Sequence, residues 1–216
     1  MIRRTATLTI AAILASTAGA DTATFRFIGN GALGANDLSP DGRWVVGSLD
    51  INGDLFPDAA YRYDTLTDTF LQLPAPAIGA TAVSDDGSVV IGDIPGPSGD
   101  ELAEEAAIWH EDTNTWVSMG FLPDAGACPS RSNAYELSAD GTVAVGLSWD
   151  GCSGRGFRWT QAEGMVELEP LANGSNRASV ISADGSIIAG FAQGTFSRSP
   201  AKWDGLTTAG ESLTND

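Results

Sequence analysis

Apolar residues in this 216-residue chain come in short runs broken by turn residues, and one arrangement of them is written four times. The copies run from Ala35 to Gly47, Ala80 to Gly92, Ala134 to Gly146 and Ala178 to Gly190. Each places Ser-x-Asp-Gly, beginning at Ser39, Ser84, Ser138 and Ser182, between two apolar runs. Asp-Gly in that setting predicts a hairpin with a two-residue turn, because Gly accepts the positive φ such a turn demands. After every hairpin an aromatic follows an apolar or small residue by two positions: Tyr61 and Tyr63, Ala107 and Trp109, Phe157 and Trp159, Ala201 and Trp203. Phe70 with Leu73, Trp116 with Met119 and Met165 with Leu168 then mark a fourth short segment. The pattern predicts four strands per unit.

The second strands, such as Val89-Val90-Ile91 and Ile187-Ile188-Ala189, are apolar without alternation, which predicts burial on both faces. The third strands alternate, which predicts one face in water. The turn serines are 45, 54 and 44 residues apart, a period in the range of propeller blades. The expected fold is therefore all-β and β-propeller-like, with four repeats of about four strands. Helical periodicity is nearly absent, and Glu101 to Ala107 is its best candidate. No fourth segment is evident after Trp203, whereas Thr24 to Ile28 carries the spacing of one. The N-terminal strand is thus expected to pair beside the Trp203 strand and close the ring, leaving 206–216 as a flexible tail. An open ring is the competing arrangement.

Composition adds an address. Arg3 and Arg4, the apolar run Ala6 to Ala15 and Ala18-Gly19-Ala20 have the order of a secretory signal peptide over 1–20, so the repeat domain is expected over 21–205. No apolar run approaches the roughly 20 residues that span a bilayer, so no transmembrane segment is expected. With 28 acidic against 11 basic residues the formal charge is −17, which repels nucleic acid and anionic lipid. A secreted or periplasmic location is expected. Cys128 and Cys152, the two cysteines, fit an oxidising compartment and lie nearly symmetrically about Asp140-Gly141. That symmetry predicts a disulfide at the open end of the third hairpin.

The units from Ala35 onward, best seen from Ala134 to Leu168 with Phe157-Arg158-Trp159-Thr160 and Gly164-Met165-Val166, resemble HAF-type repeats of exported bacterial proteins. Ser39-Pro40-Asp41-Gly42 more distantly resembles the blades of TolB-like propellers. The resemblance implies a secreted β-propeller-like protein and transfers no catalytic residue. Departures are the insertion after Ile94 and the missing Leu-Gly-x-Leu-Pro-Gly-Gly linker, faintly echoed from Gly120 to Gly126.

One stretch has the chemistry of a cation loop. Asp50, Asn52, Asp54 and Asp58 set oxygen donors at alternate positions with a further carboxylate four residues on, a spacing that can wrap Ca²⁺. It resembles the calcium loop of FG-GAP repeats, except that Leu55 stands where the family has Gly. A solvated acidic loop is the alternative. The lone His110 offers no nucleophile–base set, acid pairs such as Glu104-Glu105 and Asp85-Asp86 arise readily among 28 acids, and Asp41, Asp86, Asp140 and Asp184 suit tight turns. Trp109, Trp159 and Trp203 sit at equivalent positions and are expected to pack between blades, with Trp149 the better candidate for an exposed aromatic. The expected function is non-catalytic binding or scaffolding of an extracellular protein or glycan. The Asp93 to Glu105 and Leu122 to Asn133 connections are expected to carry it, on the same face as the 50–58 loop. The alternative is a hydrolase or lyase with a carboxylate or calcium site in the channel.

Overall fold

The computed structural model describes residues 28–29, 31–97, 103–123, 130–150, 152–195 and 197–213. The signal segment and Thr24 to Phe27 lie outside them. Sixteen strands form four antiparallel sheets, each an up-and-down meander in chain order. The first sheet is β1 (Ala32–Leu38), β2 (Trp44–Leu49), β3 (Ala59–Asp64) and β4 (Thr69–Gln72). The second is β5 (Gly79–Val83), β6 (Val89–Pro95), β7 (Glu104–His110) and β8 (Thr115–Ser118). The third is β9 (Ser132–Leu137), β10 (Val143–Asp150), β11 (Ser153–Thr160) and β12 (Gly164–Glu167). The fourth is β13 (Asn176–Ile181), β14 (Ile187–Gln193), β15 (Arg198–Asp204) and β16 (Gly210–Ser212). The propeller-like, all-β expectation holds, and of the helical candidate Glu101 to Ala107 the part from Glu104 belongs to β7, while 101–102 lie outside the described residues.

The hairpin turns are longer than two residues. Ser39 N donates to Trp44 O at 2.9 Å, so the loop has four residues, and Gly42 N donates back to Ser39 O inside it. Gly42, Gly87, Gly141 and Gly185 close the four turns at φ near +75°. The serine is the hub of the loop. Ser39 Oγ donates to Asp41 Oδ1 at 2.7 Å and accepts from Trp44 N at 2.9 Å, and Ser84, Ser138 and Ser182 repeat both bonds. Asp41, Asp86, Asp140 and Asp184 are thus bonded inside their turns.

Those bonds favour the ionised aspartate. The Ser39 hydroxyl holds the Asp41 carboxyl below the usual range, the Ser88 amide does so at Asp86, Ser138 does so at Asp140, and Ser182 holds Asp184 at about 2. A depressed folded value means stability present above the unfolded value of 3.8 and lost as pH falls through the folded one. Thermal melts are expected to drop between about pH 4 and pH 2. Ser84→Ala, which leaves the Val89 amide without its acceptor at a buried site, should cost about 1–3 kcal/mol in urea melts. A neutral Ser84→Ala would sink this account of the turn.

Substantial packing joins sheets that are consecutive in the chain. Val46, Ala60, Ala80, Val90 and Trp109 fill the first junction, Ile91, Ile108, Ala134, Ala144 and Phe157 the second, and Val145, Leu168, Ala178, Ile188 and Trp203 the third. Trp109, Trp159 and Trp203 are buried in these junctions, as their equivalent positions imply. Arg62 is buried between the rings of Trp44 (4.4 Å) and Trp109 (5.1 Å), donates to Gly87 O and pairs with Glu111 at 2.6 Å, bolting the first sheet to the second. Near the axis, Asp85 N donates to Ala139 O and Ala139 N to Ala183 O. Pro40 occupies the matching place in the first turn and has no N–H, so Asn36 Nδ2 to Ala80 O (2.7 Å) and Val83 N to Asp37 Oδ2 (2.9 Å) make that junction instead.

Three expectations need correction. The third strand of the first sheet does not have a wet face, because β3 is buried throughout between its neighbours; only β15 alternates, since no sheet follows the fourth among the described residues. For the same reason Ile187 on β14 is 53% exposed although the sequence reads as doubly buried. The last unit does have its fourth strand. β16 pairs with β15 through Ala201↔Ser212 and Trp203↔Gly210, occupying the edge assigned to the N-terminal strand and placing a strand inside the expected tail. Ile28 packs instead on the first sheet, with Tyr61, Tyr63 and Phe70.

Candidate functional site

All β2–β3-type and β4–β1-type connections leave the sheets at the end opposite the Ser-x-Asp-Gly turns, and the chain concentrates its unusual chemistry there. The 50–58 loop joins β2 to β3 and folds on its own carboxylates. Asp50 accepts from Gly53 N at 2.5 Å and Leu55 N at 3.0 Å, Asn52 Oδ1 from Asp54 N at 2.9 Å, and Asp54 from Phe56 N at 2.9 Å. Asp58 Oδ2 accepts from Ile51 N at 2.7 Å, and its other oxygen from Asn52 Nδ2 at 3.2 Å. Carboxylate oxygens of Asp50, Asp54 and Asp58 all lie within 4.8 Å of one another. Oxygen ligands about 2.3–2.6 Å from a calcium ion are separated by no more than roughly twice that, so the trio fits such an ion.

Leu55 adopts φ +71°, beside Gly53 at +86°. The bend expected to need glycine is therefore made by a branched residue, with its side chain 80% exposed and a local conformational cost of about 1 kcal/mol or more.

A second group shares no local sequence motif. Asp93 near the end of β6 lies diagonally from Glu104, which pairs with Pro95 in the β6–β7 ladder, and Asn133 Nδ2 from β9 reaches both, at 3.2 and 2.7 Å. Burial first, then the neighbouring Glu104 charge, push the Asp93 carboxyl up to about 7. A cavity of about 90 Å³ lined by Asn36, Ser48, Pro57, Thr81, Asp93 and Glu104 joins this pair to the base of the 50–58 loop. The signal was present but faint: Ser48, Leu147 and Phe191 fill the place of Asp93 in the other units, on the face that meets the next sheet.

The flanks of both long connections, Asp93–Gly96 with Glu104 and Leu122 with Arg131, reach this same end, while 98–102 and 124–129 lie outside the described residues. Leu122 N donates to Ser148 Oγ and Trp149 N to Arg131 O, tying the second connection to β10. Trp149 is half-buried under the Arg131 guanidinium, 5.4 Å from its ring centre, and so is not a bare platform. Cys152 sits in the β10–β11 turn at φ +74°. Cys128 lies outside the described residues. His110 ends β7 at the opposite end, so it is brought near none of these groups. There the axis is lined by Asp37, Asp85 and Glu136, and burial raises the Glu136 carboxyl. No helix among the described residues is long and apolar enough to cross a membrane.

No family model and no curated protein matches this chain. Solved structures do resemble it. TolB from Acinetobacter baumannii superposes with a TM-score of 0.59 at 21% identity, covering 83% of this chain and 43% of that one. A TolB candidate from Agrobacterium tumefaciens gives 0.60 at 16% identity, covering 84% and 61%. A puromycin-hydrolysing peptidase from Mycobacterium tuberculosis gives 0.57 at 17%, covering 88% and 30%. The chain thus spans about half the length of these TolB structures, and the likeness concerns fold.

Proposed function

We propose that this protein is an exported, non-catalytic β-propeller-like module that binds an extracellular protein or glycan through the end of the sheets carrying the 50–58 loop. The observation that carries this reading is the gathering at that end of the loop, the Asp93–Glu104 pair with Asn133, a small cavity between them and the described flanks of both long connections. Carboxylates along the axis occur at both ends, and the tryptophans lie in sheet junctions or under an arginine, so acids and aromatic platform do not converge as a sugar-cleaving site requires. The N-terminal signal segment supports secretion or a periplasmic location.

Asp50, Asn52, Asp54 and Asp58 are proposed to hold one Ca²⁺. The ion would neutralise three crowded carboxylates and stiffen the entry to β3. At calcium about a hundredfold above the dissociation constant, mass action adds about 2.7 kcal/mol, a rise of roughly 5–10 °C in melting temperature over chelator-treated protein. Asp54→Ala should abolish that rise. A calcium-independent melt, or a rise that survives Asp54→Ala, counts against the ion.

The Cys128–Cys152 disulfide is proposed on the same face, closing a loop of about 25 residues and contributing on the order of 3 kcal/mol. Two free thiols by mass spectrometry in exported protein would end it. The binding reading itself is tested by a broad hydrolase and lyase screen. Turnover abolished by one carboxylate substitution at the axis would overturn it.

A further inference from the structure

The arginines of the described chain divide by their surroundings. Arg43, Arg62, Arg155 and Arg158 each hold a carboxylate, of Asp64, Glu111, Glu167 and Glu163, whereas Arg131 lies over the Trp149 ring with no ion pair among the described residues. Arg177 and Arg198, at the end of the fourth sheet away from its Ser-x-Asp-Gly turn, hold none among the described residues either. Arg177 lies 4.4 Å over the Tyr135 ring and 5.9 Å from that of Phe191, and Arg198 lies 4.4 Å over Phe191. Their hydrogen bonds go to neutral groups, Arg177 Nε to Ser179 Oγ at 3.3 Å and Arg198 Nε to Gln193 Oε1 at 3.0 Å. In a chain of formal charge −17, two guanidinium groups without a carboxylate on a single sheet are out of place. Stacking on a ring fixes each planar group and leaves its outer N–H edge oriented, the geometry that takes a carboxylate in a two-point bond.

The surface around them is a sheet face on which no further sheet packs among the described residues. The register sets Arg177, Phe191 and Pro200 in one row, and Val180, Ala189 and Lys202 in the next. In the first three sheets the matching residues of the second strand, Val46, Ile91 and Val145, are fully buried against the following sheet. Here Val180 is 50% and Ile187 53% exposed, and Leu213 lies beside Pro200, its backbone N–H donating a hydrogen bond to Pro200 O. A groove of about 330 Å³ runs past Ile187, Lys202 and Glu211.

We propose that this face of the fourth sheet docks an acidic peptide segment of a partner protein, its carboxylates on Arg177 and Arg198 and its apolar side chains over Val180 and Ile187. Charge complementarity selects the acid, and the exposed alkyl groups select the peptide. A uronate chain supplies carboxylates but no alkyl groups to cover them, and a second copy of this chain brings the same excess of negative charge and is repelled. The surface is separate from the calcium loop and does not depend on it.

The test is fluorescence anisotropy of the full chain with a labelled short peptide of alternating Glu and Leu, with oligogalacturonate and an all-Glu peptide as competitors. Because the whole protein repels polyanions, binding reports a local site. Arg177→Gln with Arg198→Gln should weaken the alternating peptide by about tenfold or more, while Arg43→Gln at the other end should not. The paired Lys substitutions, which keep charge and lose the planar fork, should fall between, and they carry the test if the Gln pair does not fold by circular dichroism. No binding of the peptide, binding indifferent to both pairs, stronger competition by oligogalacturonate than by all-Glu peptide, or a sedimenting dimer abolished by the Gln pair overturns the proposal.

Discussion

Gly146→Ala is expected to cost about 3 kcal/mol or more, and Gly92→Ala with Gly146→Ala to leave little native protein at 37 °C. Each hairpin ends in a glycine, and the reason is steric. A Cβ on Gly47, Gly92, Gly146 or Gly190 would lie 2.1, 2.0, 2.1 and 1.9 Å from a backbone carbonyl oxygen of the innermost strand, those of Gly34, Gly79, Asn133 and Arg177. The register of every β1–β2-type pair shifts just beside these contacts, at Ala35/Asp37, Ala80/Ala82, Val145/Gly146 and Ala178/Val180, so the close approach belongs to a bulge that all four sheets share. At Gly146 the Phe157 ring also lies within 2.8 Å of the added carbon. Backbone on one side and a buried ring on the other leave nothing free to give way. Gly34→Ala is the control, since a Cβ there meets nothing within 4 Å. Urea melts of the three proteins decide the matter: a Gly146→Ala variant as stable as Gly34→Ala means the bulge yields.

Asp93→Asn should stabilise the protein at pH 8 by on the order of 2–3 kcal/mol and hardly at all at pH 4. Asp93 is held at about 7 by burial and by Glu104, against 3.8 unfolded. Below the unfolded value both states carry the proton and nothing is lost. As pH rises from about 4 to 7 the unfolded chain releases it first, so stability falls with pH through that window. Asparagine keeps an acceptor for Asn133 Nδ2 and cannot ionise. The turn aspartates act in the opposite sense below pH 4, so the wild-type chain should be most stable between the two regimes. Urea melts across pH 4 to 8 on both proteins measure the difference directly. A gain independent of pH would show that Asp93 is charged throughout and refute its assignment.

The strand count, the blade-like period and the packing role of Trp109, Trp159 and Trp203 were legible because each depends on a pattern repeated in every unit. The turn motif was legible as a turn but not in its length, since the serine that closes a four-residue loop reads the same as a strand-end serine. Where reading failed, the cause lay beyond the unit. β16 is three residues long and carries Glu211 and Ser212 because only one edge of it is paired and neither face is buried, so no apolar run announces it. The wet face expected of every third strand exists only where no sheet follows. Asp50, Asn52, Asp54 and Asp58 were found because their spacing is local, whereas Asp93, Glu104 and Asn133 come from three strands and two sheets and share no spacing at all.

Packing that joins each sheet mainly to its chain neighbours makes the molecule a linear array of modules. Its free energy of folding is then close to a sum of one term per module and one per junction, and a module is held in proportion to the junctions it makes. The second and third modules have two each. Among the described residues the fourth has one, without the stacked Arg62 that bolts the first pair together, so opening of these four modules begins at the fourth and propagates inward.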